Sequence, residues 1–142
     1  MMVSTKGRYA LRVMIDLAMH SDDGRVSLSD ISKRQKISLK YLENITSILV
    51  KAGYVDGTRG RGGGYVLTKP TAEYSVSEIL QLTEGTLAPV ACLGTDHNEC
   101  MMASECITLP MWTRLDSLIE GYLSSVTLAD LIEGRVITNQ IN

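Results

Sequence analysis

Three cysteines in the second half of this chain are the residues whose type and spacing could do chemistry. Cys92, Cys100 and Cys106 follow a C-x7-C-x5-C pattern, and the 142 residues contain no other cysteine. Because thiolates bind soft transition metals, three of them in one segment indicate a metal or an iron–sulfur cluster. Neither gap is the common C-x2-C spacing, so metal-free redox thiols and unreactive cysteines stay open as alternatives. His97, between the first two cysteines, also makes a zinc site of three thiolates and one imidazole chemically possible.

The segment that must position two of these thiols, those of Cys92 and Cys100, shows neither a helical nor a strand period. It runs from about residue 85 to residue 104 and contains Pro89 and two glycines. Irregular segments of this length in a small protein are usually functional or disordered. We therefore predict a functional loop, preceded by a linker from Pro70 and by a short helix over residues 76–83.

Two arginines within a glycine run form a second group of residues with chemical meaning. Residues 58–67 read Thr-Arg-Gly-Arg-Gly-Gly-Gly-Tyr-Val-Leu. Glycine lets the backbone turn tightly and approach a partner closely, and arginine offers planar, permanently charged donors. The run lies between two short predicted strands, at 54–55 and 65–67. We therefore predict a hairpin that contacts nucleic acid.

Helical patterns precede this hairpin. The first covers residues 8–20, with Asp16 on its polar side. Its predicted apolar face consists of Leu11, Met14, Ile15 and Ala18.

Two shorter helices follow, and each begins at a capping residue. Ser27 and Asp30 match a capping box that opens a helix ending near Gln35. Ser38 caps a second helix that runs to about Ala52. The inward positions predicted for this second helix are Leu39, Leu42, Ile45 and Leu49. Two such helices followed by a hairpin predict a winged helix-turn-helix.

The two halves of the chain carry opposite charge. Residues 1–69 contain 12 Lys and Arg against 6 Asp and Glu, whereas residues 70–142 contain 2 against 10. The net charge of the whole chain is only −2, which by itself argues against a nucleic-acid binder. Because the basic residues coincide with the helix-turn-helix pattern, the asymmetry favours a basic module that meets phosphate.

The second helix of such a motif enters the major groove of DNA with its N-terminal residues toward the base edges. Asn44 has the amide that suits adenine, and Glu43 can accept from a cytosine amino group. Arg59 and Arg61 suit a narrow minor groove or its flanking phosphates. The residues predicted to contact double-stranded DNA are Thr5, Lys6, Tyr9, Ser38, Lys40, Tyr41, Glu43, Asn44, Ser47, Arg59, Gly60 and Arg61.

A further helix, opened by Pro110, carries a broad apolar stripe that requires burial. The stripe could dock on the same chain or on a second copy. Paired half-sites in DNA call for a two-fold symmetric reader, so we expect a homodimer. The predicted dimer contacts are Trp112, Leu115, Leu118, Ile119 and Tyr122. Thr127 and Asp130 match another capping box, which predicts a final short helix.

These elements predict a chain that is mostly α with a small β wing: a winged helix-turn-helix plus a long C-terminal dimerisation helix. We divide it into a DNA-binding domain (1–70), a linker helix with the cysteine loop (71–108), and a dimerisation helix with a short terminal helix (109–142). No apolar run is long enough for a membrane span, and the N-terminus lacks a signal-peptide core, so we expect a cytoplasmic protein. No nucleophile–base arrangement is visible, so we expect no enzyme activity.

The motifs together resemble the IscR family of iron–sulfur-cluster-sensing transcription regulators. The resemblance is carried by residues 4–10, 37–43 and 59–65, and by a three-cysteine loop followed by Trp112. It implies a homodimer with one [2Fe–2S] cluster per subunit on the three cysteines. It also implies binding to promoter DNA and control of genes for iron–sulfur cluster assembly.

Two departures from that family pattern affect the expected ligands. Leu109 stands where the family has its fourth ligand, a histidine three residues after the last cysteine, and the first cysteine gap is longer. Leucine cannot ligate iron, so His97 is the first candidate for that role. The further candidates are Asp96, Glu99 and Glu105. A metal-free thiol-redox or nitric-oxide-responsive regulator of the same superfamily stays as the alternative, and a zinc-stabilised module that never reads DNA is a third.

Overall fold

A computed structural model describes residues 3–136 of the chain. Within this part, three helices precede a two-stranded antiparallel hairpin and three follow it, in winged-helix order. The elements are α1 (Thr5–Met19), α2 (Leu28–Gln35), α3 (Leu39–Lys51), β1 (Val55–Thr58), β2 (Gly64–Leu67), α4 (Val76–Glu84), α5 (Leu109–Ser125) and α6 (Leu128–Ile132). The mostly helical fold with a small sheet agrees with the sequence prediction.

Helix α1 lies at the centre of the molecule, where it contacts α2, α3, α4, α6 and β2. Its fully buried apolar residues are Ala10, Val13, Met14 and Leu17. Of the predicted apolar face only Met14 is buried; Leu11, Ile15 and Ala18 are half-buried. Asp16, predicted to face solvent, is also buried. A helix covered on several sides buries more of its circumference than one apolar stripe indicates.

The helix-turn-helix forms as its capping residues predict. The Ser27 hydroxyl accepts from the amide of Asp30, but within residues 3–136 the Asp30 carboxylate returns no hydrogen bond, so half of the predicted capping box forms. Ser38 caps α3 by accepting from the amide of Tyr41. The predicted inward residues Leu42, Ile45 and Leu49 are all buried. Leu39 is 49% exposed, contrary to prediction, because it starts the first turn of α3, ahead of the packed part of the helix.

The hairpin pairs Val55 with Leu67 at its base and Thr58 with Gly64 near its tip. Val26, between α1 and α2, extends this small sheet by exchanging two backbone hydrogen bonds with Tyr65. A Cβ atom on Gly64 would lie 2.6 Å from the Val26 carbonyl oxygen, and the φ of Gly64 is +142°. Only glycine fits this approach, so Gly64 has a structural role in the hairpin.

Two hydrophobic clusters hold these elements together. The larger lies between α1, the helix-turn-helix and the hairpin, and it includes Tyr74, Ile79 and Leu128. The smaller one consists of Val76, Leu80, Leu87 and Val126. Because Leu128 lies in the larger cluster, α6 packs on the winged helix although it follows the long helix α5 in sequence.

The second half of the chain contains two capping boxes and a long irregular segment. Ser75 with Glu78 opens α4, and Thr127 with Asp130 opens α6 as predicted. Residues 85–108 connect α4 to α5 and contain only short 3₁₀ turns. Among residues 3–136, none of the helices combines the length and the apolar character that a bilayer crossing requires.

Candidate nucleic-acid interface and cysteine loop

The N-terminal ends of α1 and α3 meet at a shallow groove of about 480 Å³. Five residues predicted to contact DNA line it: Lys6, Ser38, Lys40, Tyr41 and Asn44. Lys40 and Asn44 are exposed on α3, so a duplex can reach both without rearrangement. The groove therefore joins residues from two helices into one surface that carries two ammonium groups and one amide.

Tyr9 connects α1 to the recognition helix α3 behind this groove. Its ring packs edge-on against Tyr41, with centroids 5.4 Å apart. The guanidinium of Arg12 lies 5.2 Å from the Tyr9 ring centroid and hydrogen-bonds the side chain and carbonyl of Gln35, the last residue of α2. Tyr9 is half-buried, so its place in the structure is between elements rather than on an open face. Thr5 is exposed at the start of α1, where its hydroxyl accepts from Arg8.

A second groove, of about 580 Å³, separates α3 from the hairpin. It brings together the predicted residues Glu43, Ser47 and Arg59. It also adds Lys51 and Thr58, which sequence reasoning missed. Lys51 follows Ser47 by four positions, so helical spacing alone could have placed it on the DNA-facing side of α3. Besides the Glu43 carboxylate, the groove carries the cations of Lys51 and Arg59 and several hydroxyl groups, which can contact a sugar–phosphate strand.

The tip of the hairpin is open to solvent. Arg59, Gly60 and Arg61 are all exposed, as a nucleic-acid contact requires. At the base of the hairpin, Arg25 donates to the Asp56 carboxylate at 2.5 Å, a pairing that the sequence did not signal. The predicted DNA-binding residues thus lie along the two grooves, the hairpin tip and the start of α1.

A buried carboxylate fixes the helix-turn-helix against α1. Asp16 accepts two hydrogen bonds from Arg34, at 2.8 and 3.0 Å, and one from the Gln35 amide at 3.0 Å. Burial raises the pKa of Asp16, whereas the hydrogen bonds from Arg34 and Gln35 and the charge of Arg34 lower it; the net pKa lies below the usual carboxyl value. Asp16 therefore stays ionised at neutral pH and orients α2. The helical pattern gave no signal for this role, because it depends on partners far along the chain.

The cysteine loop is largely outside the folded core. Cys100 and His97 are exposed, and Cys92 and Cys106 are half-buried. Within residues 3–136, no three side chains of the His, Cys, Asp and Glu types come together in an arrangement that could hold a metal ion. The predicted ligands are thus near one another in sequence but are not assembled into a metal site in this structure.

The thiol of Cys106 contacts the side chain of Thr108, the residue that precedes α5. This side-chain contact lowers the pKa of the thiol; burial opposes this, and the backbone amides of Thr108 and Leu109 add to the lowering, so the net pKa lies below the usual thiol value. Leu109 begins α5 and is half-buried. The start of α5 therefore favours the thiolate that metal ligation and thiol chemistry both require.

The root of the loop contacts the start of α1. Glu84, the last residue of α4, accepts hydrogen bonds from the Ser4 amide at 3.1 Å and the Ser4 hydroxyl at 2.5 Å. Ser4 in turn caps α1 by accepting from Gly7. A Cβ atom on Gly7 would collide with the Glu84 carboxylate, so a larger residue at this position would displace that side chain. The contact directly joins the residue before the cysteine loop to the end of α1 that carries the predicted DNA contacts Thr5 and Lys6.

Helix α5 has no buried residue in the single chain. Leu115, Leu118 and Tyr122 are 38%, 52% and 56% exposed. Trp112 and Ile119 are half-buried, and Ile119 packs against the smaller hydrophobic cluster. The predicted dimer contacts therefore lie on one helix, most of them open to solvent.

Comparisons with known proteins give similarity in family, sequence and structure. The model of the Rrf2 family, described as iron-dependent transcriptional regulators, matches residues 3–134. The HTH-type transcriptional regulator IscR of Photorhabdus laumondii is 40% identical over 137 residues, which are 96% of this chain and 82% of that protein.

Two solved structures share the whole architecture. CymR, the global cysteine regulator of B. subtilis, superposes with a TM-score of 0.76 at 34% identity, covering 94% of this chain and 98% of that one. IscR of T. potens gives a TM-score of 0.74 at 33% identity, with coverages of 100% and 93%. These similarities confirm the winged-helix fold and a DNA-binding transcription regulator, a class that is not enzymatic.

Proposed function

This chain belongs to the Rrf2 family of transcriptional regulators, and we propose that it is a homodimer whose DNA binding responds to an iron–sulfur cluster on its cysteine loop. The observation that carries the proposal is the contact between the residue before the cysteine loop and the start of α1. A three-thiol loop follows Glu84, which hydrogen-bonds the cap of the helix that presents Lys6 to DNA. We assign it to the cytoplasm, acting on promoters of genes for iron–sulfur cluster assembly, as its similarity to IscR proteins suggests.

The homodimer is supported by the surface of α5. Its apolar residues Leu115, Leu118 and Tyr122 are exposed, and clustered exposed apolar side chains mark interaction surfaces. A second copy placed with two-fold symmetry would bury this face and set two recognition helices toward one side of the assembly. Two such helices can read paired half-sites in successive turns of the major groove.

The chemistry of the loop fits three of the four ligands of a [2Fe–2S] cluster. Cys92, Cys100 and Cys106 supply thiolates, which are the usual ligands of such clusters. Leu109 cannot be the fourth ligand, so we assign that role to His97, which is exposed on the same loop. A bound cluster would supply metal–thiolate bonds that hold the loop in one conformation and are lost on oxidation. Because the thiols are dispersed in this structure, the loop must rearrange to gather them.

The residues of the chain provide a short route from this loop to DNA. Gly85 follows Glu84 directly, so a new loop conformation changes the position of the Glu84 carboxylate. Glu84 then moves or releases Ser4, and with it the first turn of α1 that carries Thr5 and Lys6. A loop state that retains the Glu84–Ser4 contact binds DNA differently from one that breaks it, which is what a two-state regulator requires.

Substituting all three cysteines with alanine tests this proposal. We expect the variant to fold but to bind a set of promoter duplexes with changed affinity or changed preference, measured by fluorescence anisotropy under anoxic conditions. In the matched control, alanine replaces Thr95, Met102 and Ser104, three residues of the same loop that have no thiol. If the cysteine variant and the wild type bind every duplex alike, the loop is not the receiver of the signal.

A metal-free thiol redox sensor is the second candidate, and a nitric-oxide-responsive relative with a different cluster is a variant of the first. The exposed thiol of Cys100 and the similarity to a global cysteine regulator favour it. In this case Cys100 or Cys106 would be oxidised directly, without iron. Treating iron-free protein with peroxide or a nitric oxide donor and measuring DNA affinity separates the two candidates, since only the thiol sensor responds without iron.

A further inference from the structure

Tyr74 lies at the open end of the hairpin, with its side chain fully buried. Its hydroxyl donates to the carbonyl oxygen of Tyr54 at 2.7 Å and accepts from the amides of Thr68 and Lys69, each at 3.0 Å. One donation and two acceptances use the full hydrogen-bonding capacity of a phenol. Tyr54 directly precedes β1 and Thr68 directly follows β2, so one hydroxyl joins both ends of the hairpin.

The ring of Tyr74 adds a second set of contacts to the same place. It packs edge-on against Tyr54, with centroids 5.6 Å apart. The Lys69 ammonium lies 4.8 Å from the centroids of both rings, within the range of a cation–π interaction. The base of the hairpin is therefore fixed by aromatic and charged contacts as well as by hydrogen bonds.

The backbone of Tyr74 connects this base to the C-terminal end of α5. Its carbonyl oxygen accepts from the amide of Leu128 at 3.0 Å. Two residues later, the Val76 amide donates at 2.8 Å to the carbonyl oxygen of Val126, the residue that follows α5. The segment that holds the hairpin is thus bonded to the junction between α5 and α6.

We propose that Tyr74 is a positioning residue that sets the hairpin for DNA and ties its orientation to the dimer helix. This inference rests on the proposed DNA contacts of Arg59 and Arg61. A two-stranded ribbon is only marginally stable by itself, and the exposed tip has no core of its own. The angle at which both arginines meet the duplex therefore depends on the base that Tyr74 holds.

The test compares Tyr74→Phe with Tyr54→Phe on a duplex that the wild-type protein selects from a random pool. Tyr54→Phe is the matched control, because within residues 3–136 the Tyr54 hydroxyl makes no hydrogen bond. Hydroxyl-radical cleavage maps the strand beneath the hairpin, and dimethyl sulfate maps guanines in the major groove. The salt dependence of affinity counts the phosphate contacts.

We expect Tyr74→Phe to lose the hydroxyl-radical protection beneath the hairpin while the major-groove protection from α3 persists. The affinity should fall about tenfold, and the salt slope should shrink by about 1 to 2 per chain as the arginine contacts are lost. Tyr54→Phe should match the wild type in all three measurements. Thr68→Val, which removes a second hydroxyl from this base, should show the same change to a smaller extent and replaces Tyr74→Phe if that variant does not fold.

Uniform loss of both protections with an unchanged salt slope would mean that the hydroxyl only stabilises the fold, and would overturn the positioning role. An unchanged footprint in Tyr74→Phe would overturn the positioning role as well. The proposed function would stand in that case, because the wild-type protein still protects the duplex. If the wild type protects no duplex, the assigned DNA contacts are wrong and the role of Tyr74 is lost with them.

Discussion

The winged-helix module and the cysteine loop with α5 are parts of one chain that differ in how completely they are built. The module surrounds α1 with a buried cluster from five elements and contains an ion pair between Asp16 and Arg34. The loop has half-buried or exposed thiols, and α5 has no buried residue. The proposed reader of DNA has a buried core within the single chain, whereas the proposed receiver of the signal, the cysteine loop with α5, has little buried surface.

This difference is what a regulator needs. The reader must keep its recognition helix in a fixed place, so its stability has to come from its own core. The receiver must have two states of similar free energy, so that a ligand can select between them. A receiver with a full hydrophobic core would not respond.

The largest difference in the free energy of unfolding should appear when one isoleucine in each region is replaced by alanine. Ile45 in α3 is fully buried, whereas Ile107 in the loop is 94% exposed. Ile45→Ala should lower the free energy of unfolding by about 2–5 kcal/mol, since it leaves a cavity in the core. Ile107→Ala should change it by less than about 0.5 kcal/mol. Urea denaturation followed by circular dichroism measures both; equal losses would remove the distinction between the regions.

The next effect concerns the dimer. Leu118→Asp places a carboxylate in each copy of the proposed interface, where it cannot be solvated, and should raise the dimer dissociation constant by about 100-fold or more. Met19→Asp is the control, because Met19 is 62% exposed on α1, outside the proposed interface. Sedimentation equilibrium gives both constants. A Leu118→Asp protein that stays as dimeric as the control would place the interface elsewhere.

A smaller effect, with a specific pH dependence, comes from Asp16. Its pKa is lower in the folded state than in the unfolded chain, so its stabilising contribution is complete above the unfolded value of about 3.9. The contribution disappears as the pH falls through the lower, folded value. Asp16→Asn should cost about 1.5–3 kcal/mol at neutral pH, because charged hydrogen bonds to Arg34 are weakened.

The acid side of the stability curve checks this assignment. The difference between the wild type and Asp16→Asn should shrink as the pH falls below about 4. Asp56→Asn is the control, because its surface pair with Arg25 should contribute at most about 1 kcal/mol. A constant difference between wild type and Asp16→Asn from pH 7 to pH 3 would mean that the carboxylate charge has no role.

The smallest effect tests the contact between the two regions. Glu84→Ala removes the acceptor of the Ser4 hydrogen bonds and should weaken DNA binding by about twofold to tenfold, as expected for losing one net hydrogen bond. Glu73→Ala removes the same charge at an exposed site and corrects for the general effect of charge on DNA affinity. Equal affinities of the two variants would show that the loop root does not position α1.

The reader could be predicted from the sequence because its signals are local. Ser38 begins the recognition helix, the apolar spacing of α3 places Leu42, Ile45 and Leu49 inside, and the glycine run marks the hairpin. Leu39 was misplaced because periodicity does not show where packing on a helix begins. The burial of Asp16 had no local signal, since Arg34 and Gln35 come from another helix and make burial favourable only after folding.

The arrangement of the receiver could not be predicted for a related reason. The spacing of the cysteines identifies possible ligands but does not fix a loop conformation, because no apolar pattern restrains residues 85–104. The Ser4–Glu84 contact joins residues 80 positions apart in the sequence, and the bonds of Tyr74 depend on where the hairpin ends. Each of these features arises from tertiary packing rather than from neighbouring residues.

The central claim is that the loop of this DNA-binding protein holds an iron–sulfur cluster through its three cysteines. Purification without oxygen, followed by visible absorption, Mössbauer spectroscopy and assays of iron and sulfide, tests it most directly. We expect the wild-type protein to be brown and to contain about two iron and two sulfide per chain. The triple cysteine variant should contain neither, and His97→Ala should alter the spectra. Colourless wild-type protein that takes up no iron on anoxic reconstitution would contradict it.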